Sequence, residues 1–151
     1  MQTKQKLEKE IQEVKKEMEK PKRWRAEIGG KYWFIDEAGN VDFNMEENDE
    51  IDNYRFKHLN YFETREEAEQ YKEYLKAIDK MRECAEYFKP NFNIYDKIFY
   101  INYNREDKNF ESRNNYEASL TKIYFDTEKK AQYFIDDHKK ELEIIRNYES
   151  V

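Results

Sequence analysis

The sequence predicts an α+β fold: an antiparallel sheet from two related β-hairpin/helix units, plus an N-terminal amphipathic helix. Two observations lead to this prediction. Short aromatic segments that alternate in polarity precede long stretches of helical periodicity, and this order occurs twice in the 151 residues. The 13 Tyr and 10 Phe residues indicate a folded core, although the mean hydropathy is only −1.29.

The N-terminal helix is predicted over residues 3–20, within a first segment of residues 1–21. A single apolar stripe runs along it with spacings of four, three and four residues, and most other positions are Lys, Glu or Gln. Pro21 should end the helix near Glu19. Two heptads are marginal alone, so the stripe should pack on the protein body, on a second copy, or on a partner. The stripe consists of Leu7, Ile11, Val14 and Met18.

The first unit is predicted over residues 22–90. Three antiparallel strands are expected, at Arg23–Ile28, Lys31–Ile35 and Val41–Met45, followed by a loop or short helix over residues 46–53. A short strand at Tyr61-Phe62 and then a long helix are predicted to follow. Thr64 and Glu67 have the spacing of a capping box at its start, and Lys89-Pro90 should end it. Its inward positions are expected to be Ala68, Tyr71, Leu75, Ile78, Met81, Ala85 and Phe88.

The second unit, residues 91–151, repeats the first. Tyr61–Ala68 matches Tyr124–Ala131 at an offset of 63 residues, and Tyr32–Ile35 matches Ile98–Ile101 at an offset of 66. The repeat indicates either a duplication or a local pattern that α+β proteins commonly use. We expect the units to share one core, because one hairpin and one helix bury little surface. A helix from Glu128 to Asn147 should turn inward Ala131, Phe134, Ile135, His138, Leu142 and Ile145.

Charge is distributed unevenly along the chain, whose net charge is −6. Residues 1–25 carry nine Lys or Arg and five Glu, a net charge of +4, whereas the remainder carries 19 basic and 29 acidic residues. The segment from Asp36 to Tyr54 has no Lys or Arg. An acidic face there would suit the Arg and Lys of a nucleic-acid-binding partner. The predicted face comprises Asp36, Glu37, Asp42, Glu46, Glu47, Asp49, Glu50, Asp52 and Tyr54.

A basic segment offers an alternative function. Cations beside an aromatic ring can hold single-stranded nucleic acid by phosphate contact and base stacking. The opposing interpretation is that the ring belongs to the core and the cations to a solvated surface. The segment consists of Lys20, Lys22, Arg23, Trp24 and Arg25.

The sequence contains few residues in patterns typical of catalytic, metal-binding or phosphate-binding sites. Cys84 lies within a predicted helix and is expected to be a buried or half-buried filler. His138 falls on an apolar stripe and His58 in a polar loop, so no zinc site is predicted. Gly29-Gly30 does not match a phosphate-binding loop. We therefore expect no enzymatic activity, no catalytic residues, no metal and no cofactor.

Residues 23–75 contain WRAE at 24–27, YWFID at 32–36, GNV at 39–41, DNYR at 52–55 and NYFETREEA at 60–68. This pattern resembles a module in small accessory proteins of phages and prophages from low-GC Gram-positive bacteria, with a weaker similarity after residue 94. Leu59 stands where the module often has Gly. The resemblance implies a phage setting. Some phage accessory proteins of this size and acidity, including anti-CRISPR proteins, inhibit host defence.

The leading hypothesis is therefore a phage-type accessory protein that binds and inhibits a nucleic-acid-handling host defence complex through its acidic face. The first alternative is single-stranded nucleic-acid binding by the basic segment. The second is a phage structural component that self-associates as a homodimer through the N-terminal stripe. The absence of a long apolar run and the single cysteine favour the cytoplasm of a bacterial host and no membrane contact.

Overall fold

The structure, a computed structural model, describes residues 2–18, 23–91, 97–115 and 122–150. Over these residues the chain forms five helices and two antiparallel hairpins, which confirms the predicted α+β class. Each hairpin forms a two-stranded sheet of its own, where the sequence predicted one sheet. The elements are α1 (Gln2–Met18), β1 (Lys31–Ile35), β2 (Val41–Met45), α2 (Glu50–Lys57), α3 (Arg65–Cys84), β3 (Ile98–Asn104), β4 (Asn109–Asn115), α4 (Glu128–Asp137) and α5 (Lys139–Glu149).

The chain divides into two compact units, residues 1–68 and 69–151. The sequence suggested boundaries after residues 21 and 90. The boundary differs because α3 begins in the first unit and continues into the second, where Ala77, Met81 and Ala85 enter a hydrophobic core. The expected sharing of one core by the two repeats stays a prediction.

The first unit is built on the β1–β2 hairpin. Its register pairs Trp33 with Phe43, and the backbone N–H of Asp36 donates to Asn40 O at 2.8 Å across the turn. Gly39 has a φ of +80° in this turn, a conformation that favours glycine. Alternation along β1 buries Tyr32 and Phe34, which form the core of the unit with Tyr61.

The predicted strand over Arg23–Ile28 is wrong, since this segment is irregular and reaches a turn at Ile28. The edge of β1 that it would have occupied is taken by Phe62, whose N–H and C=O both pair with Trp33 at 2.8 Å. The irregular segment is held differently: the backbone N–H of Ala26 donates to Tyr61 Oη at 3.2 Å. The short strand predicted at Tyr61-Phe62 is thus a single bridge, and it pairs with β1 where the strand at Arg23–Ile28 was expected.

Both units contain the same bridge followed by the same helix start. Phe125 pairs with Phe99 through N–H···O bonds of 2.8 and 3.0 Å, as Phe62 does with Trp33. In the first unit the N–H of Glu67 donates to Thr64 Oγ1 at 3.1 Å. In the second, the N–H of Lys130 donates to Thr127 Oγ1 at 3.3 Å. The sequence repeat is thus also a structural repeat, which both a duplication and a common local pattern would produce.

Helix α3 ends earlier than the sequence suggests. It stops at Cys84, because Glu86 and Tyr87 both adopt a positive φ of 52° and the N–H of Tyr87 donates to Arg82 O at 2.9 Å. Such a bond closes a helix without a proline. Leu75, which was expected to point inward, is 44% exposed.

The second unit packs the β3–β4 hairpin and the end of α3 with two short helices, where one helix was predicted. The break is at His138, whose φ of −128° and ψ of 37° are not helical. The His138 ring stacks on Phe134 at 4.8 Å between centroids, which fits the expected inward position. The buried core of this unit consists of Ala77, Met81, Ala85, Phe125, Ala131, Phe134, Leu142 and Ile145.

Candidate functional site

Two carboxylates of the predicted acidic face are buried. Glu46, which follows β2, is 1% exposed, and Asp52 in α2 is 0% exposed. A carboxylate that water cannot reach cannot pair with a cation on a partner, so both residues are removed from the predicted face. Buried charged groups need partners of their own. The network around them shows what these two do instead.

Glu46 joins three segments of the first unit. The guanidinium of Arg25 donates to its two carboxylate oxygens, from Nε at 3.1 Å and from Nη2 at 2.9 Å. The hydroxyl of Tyr61 donates to Oε2, and the backbone N–H of Asn48 donates to Oε1 at 2.8 Å. Bidentate charge-assisted bonds of this kind fix geometry as well as adding energy. Glu46 therefore ties the irregular segment to the hairpin and the bridge.

Asp52 joins α2 to the hairpin in a similar way. Its Oδ1 accepts a hydrogen bond of 2.6 Å from Tyr32 Oη, and its Oδ2 accepts one of 2.7 Å from the backbone N–H of Glu47. Arg55 Nη1 in turn donates to Tyr32 Oη at 2.9 Å. Tyr32 also stacks on Tyr61 at 3.9 Å between centroids, which links the two carboxylates through paired rings.

The same contacts set the pKa values of these groups. The hydrogen bonds from Arg25 hold the pKa of Glu46 below its ordinary value, in spite of burial. Burial opposes ionisation of Asp52 as well, yet the bonds from Tyr32 and the Glu47 N–H keep its pKa low. Burial, and then the bond to Glu46, raise the pKa of Tyr61. At neutral pH the network therefore holds two carboxylates as anions and two phenols as donors.

The remaining acidic residues separate into two groups. Asp36, Glu37 and Asp42 lie at or next to the hairpin turn, and Asp36 is occupied there, since its Oδ1 accepts the N–H of Asn40 at 2.7 Å. Glu47, Asp49 and Glu50 follow the other end of β2. A strand of five residues is roughly 16 Å long, so the two groups are far apart. The predicted single face is therefore two smaller ones.

The group beside α2 also contains large exposed apolar side chains. Ile51 is 56% exposed and Tyr54 is 64% exposed, and the Tyr54 ring stacks on His58 at 4.1 Å. Positions three and four apart share one side of a helix, which places Glu50, Ile51 and Tyr54 together. We call this set the α2 surface: Glu47, Asp49, Glu50, Ile51 and Tyr54.

The arginines of the basic segment are engaged within the first unit. Arg23 Nη1 donates to Phe56 O at 2.7 Å, and its guanidinium lies 4.4 Å from the centroid of the Phe56 ring. Arg25 is bound to Glu46 as described. Trp24 is partly exposed and lies 5.8 Å from the Tyr61 ring. Lys20 and Lys22 lie outside the described residues. The segment thus has less free positive charge than its sequence suggests.

The apolar stripe of α1 is exposed throughout its length. Its four residues remain open to solvent within the chain, so the stripe does not pack on the protein body. The stripe can therefore pack on a second copy of the chain or on a partner, the other two possibilities that the sequence offers. The stripe consists of Leu7, Ile11, Val14 and Met18.

Cys84 and His58 have side chains of the kinds used in catalysis, and both contact neighbouring residues of the fold. Cys84 is half-buried against the core of the second unit, and burial raises the pKa of its thiol. The ring of His58 lies beside Tyr54, with Nδ1 2.9 Å from Tyr54 O. Over the part of the chain that the structure describes, no three His, Cys, Asp or Glu side chains group together as metal ligands would.

The sequence reasoning missed a cleft in the second unit. It has a volume of about 640 Å³ and lies among α3, the β3–β4 hairpin and α5. Aromatic and basic side chains come together there from segments far apart in the sequence, such as Arg82, Tyr103 and Arg146. Periodicity could not have indicated the cleft, because its side chains come from separate segments of the chain.

Comparisons of the chain with known protein families, with curated proteins and with solved structures give no match. None of the helices in the described residues is long and apolar enough to cross a membrane.

Proposed function

We propose that this protein is a non-enzymatic binding protein of the phage accessory type, acting in the cytoplasm of a bacterial host. It binds a nucleic-acid-handling defence protein and inhibits it by occlusion, as anti-CRISPR proteins do. The observation that carries the proposal is the α2 surface, where three exposed acidic residues lie before or at the start of the helix that exposes Ile51 and Tyr54. Two carboxylates of the original prediction, Glu46 and Asp52, have no part in the contact.

The composition of the α2 surface favours a basic protein partner. Exposed Tyr and Ile side chains supply the apolar anchors on which protein–protein binding energy concentrates. The carboxylates of Glu47, Asp49 and Glu50 would pair with Arg or Lys and steer the encounter. A nucleic-acid-binding groove offers such cations because it neutralises phosphates. Occupying that groove would block the nucleic acid.

The polar network supports the proposal by holding this surface in one conformation. Asp52 fixes the backbone of Glu47 through a bond of 2.7 Å, and the carboxylate of Asp49 caps α2 by accepting the N–H of Asp52 at 2.8 Å. A surface that is already ordered loses less conformational entropy when it binds. The buried acids therefore support binding from beneath the contact.

The direct test is inhibition of the partner. The tagged protein captures its partner from nuclease-treated host lysate, and the purified partner is then assayed for binding to its own nucleic acid. We expect added protein to displace that nucleic acid in proportion to its binding. Simultaneous binding of protein and nucleic acid to the partner would contradict occlusion.

A second candidate function, self-association as a phage structural component, is favoured by the exposed stripe of α1. Two copies could bury the stripe as a short coiled coil. We expect sedimentation equilibrium to give a mass above 18.8 kDa that rises with concentration, and Ile11→Lys to return the mass to that of a monomer. Gln12→Lys, off the stripe, is the matched control. A monomeric wild type at all concentrations would exclude this candidate.

A further inference from the structure

The cleft of the second unit has the size and lining of a binding site. Its volume of about 640 Å³ falls within the range of roughly 300–1,000 Å³ that ligand pockets occupy. Met81, Leu142 and Ile145 contribute buried apolar side chains to its lining. Aromatic rings from three elements also line it. They are Tyr74 of α3, Tyr100 and Tyr103 of β3, and Phe110 of β4.

The charge of the cleft is opposite to that of the chain. Four cations line it, although the net charge of the protein is −6. The acidic residue among the lining side chains, Glu149, accepts a hydrogen bond of 3.0 Å from Tyr74 Oη. Among the residues that the structure describes, none of the four cations has a carboxylate within ion-pair distance. The four are Arg82, Arg105, Lys122 and Arg146.

Two of these cations lie directly on tyrosine rings of the cleft. Lys122 Nζ is 3.7 Å from the centroid of Tyr100, and Arg146 Cζ is 3.9 Å from the centroid of Tyr103. Positive charge and flat aromatic surface therefore occur at the same places. Proteins that bind single-stranded nucleic acid combine these two features, cations for the phosphates and rings for the bases.

From this lining we propose that the cleft binds single-stranded nucleic acid. Unpaired bases stack on the tyrosine ring faces that Lys122 and Arg146 leave open, while Arg82, Arg105, Lys122 and Arg146 contact the phosphates. A duplex fits less well because its bases present no free face for stacking. An acidic peptide would satisfy the cations but would make no use of the open ring faces. The site lies wholly in the second unit, and it shares no residue with the α2 surface or with the Lys20–Arg25 segment.

The test is fluorescence anisotropy of the full chain with labelled oligothymidylate and oligouridylate of about eight nucleotides. We expect a saturable rise with at least one of them below ~100 µM protein, weakening as salt increases from ~50 to ~200 mM. Preference between the two probes distinguishes DNA from RNA. No saturable rise with either probe would overturn the proposal.

Charge-reversal variants test whether the oligonucleotide binds in the cleft. R82E/R105E should weaken binding about tenfold or more, because two phosphate contacts become repulsive. The matched control is K139E/K140E, which reverses two exposed cations at the start of α5, outside the cleft. We expect its affinity to stay within about threefold of wild type, since neither lysine lines the cleft and salt weakens the attraction of exposed charges. Equal losses in the two double variants would indicate non-specific attraction and overturn the site.

A third variant separates stacking from charge. Tyr103→Leu keeps apolar volume but removes the ring, and should weaken binding about fivefold or more. Circular dichroism confirms that the second unit is folded in each variant. Unchanged affinity in folded Tyr103→Leu would overturn the stacking role. Stronger competition by oligoglutamate than by unlabelled oligonucleotide would overturn nucleic acid as the ligand and indicate an acidic peptide.

Discussion

At the scale of single residues, Glu46 and Asp52 show how partners decide the role of a charge. Both belong to a run of acids that local sequence assigns to the surface. Each is buried because donors from elsewhere satisfy its oxygens: Arg25 and Tyr61 for Glu46, and Tyr32 for Asp52. These donors are 15 to 21 residues away in the chain, beyond the reach of any local pattern. Their removal from the acidic face is a consequence of tertiary structure.

The buried network predicts a pH dependence of stability on both sides of neutrality. The pKa of Glu46 is lowered from its ordinary 4.5, and that of Asp52 from 3.8, so their contributions are complete above those values and are lost as pH falls through the folded-state pKa. The pKa of Tyr61 is raised from 10.0, so its contribution is complete below that value and is lost at higher pH. We expect a plateau between about pH 5 and 9.

Urea unfolding followed by tryptophan fluorescence measures this profile, because both tryptophans, Trp24 and Trp33, lie in the first unit. Glu46→Gln should lower the plateau by about 1–3 kcal/mol, since Arg25 loses its charged partner, and should reduce the loss at acid pH. Glu47→Gln is the matched control on an exposed neighbour, and should follow wild type. An unchanged plateau in Glu46→Gln would contradict the structural role of Glu46.

At the scale of elements, the repeat of bridge and helix start was the most predictable feature. Its signals are local: an aromatic pair, then Thr at the position before the helix. Alternation likewise located β1 and β2. The predictions failed where non-local contacts decided the outcome. Phe62 replaced the expected strand at Arg23–Ile28, and the helix break at His138 occurs without Gly or Pro.

The two helix starts allow a matched prediction. Thr64→Ala and Thr127→Ala each remove the side-chain oxygen that accepts an N–H of the first turn, so each should destabilise its helix start by about 1 kcal/mol. Hydrogen exchange of the first-turn amides of α3 and α4 measures the loss separately. Thr64→Ser and Thr127→Ser retain the oxygen and should exchange as wild type does. Serine variants as destabilised as the alanine variants would contradict the capping role.

At the scale of the whole molecule, the sequence indicated where acidic charge is concentrated but not which carboxylates are accessible. Of the predicted face, Glu47, Asp49, Glu50 and Tyr54 remain beside α2, while the acids near the hairpin turn lie at the other end of β2. Ile51 was missed, because an apolar residue within a predicted loop or short helix is normally expected to be buried. The cleft of the second unit could not be predicted, since α3, β3 and α5 supply its side chains from separate segments.

The central claim is that the α2 surface binds a host protein. The measurement that tests it is affinity capture from bacterial lysate with and without nuclease treatment, quantified by mass spectrometry, with three baits: wild type, E47Q/E50Q and E37Q/D42N. Each double variant neutralises two exposed carboxylates, beside α2 or near the hairpin turn. We predict one near-stoichiometric protein partner that wild type and E37Q/D42N retain and that E47Q/E50Q loses. Equal recovery by all three baits, or recovery that disappears with nuclease, would contradict the account.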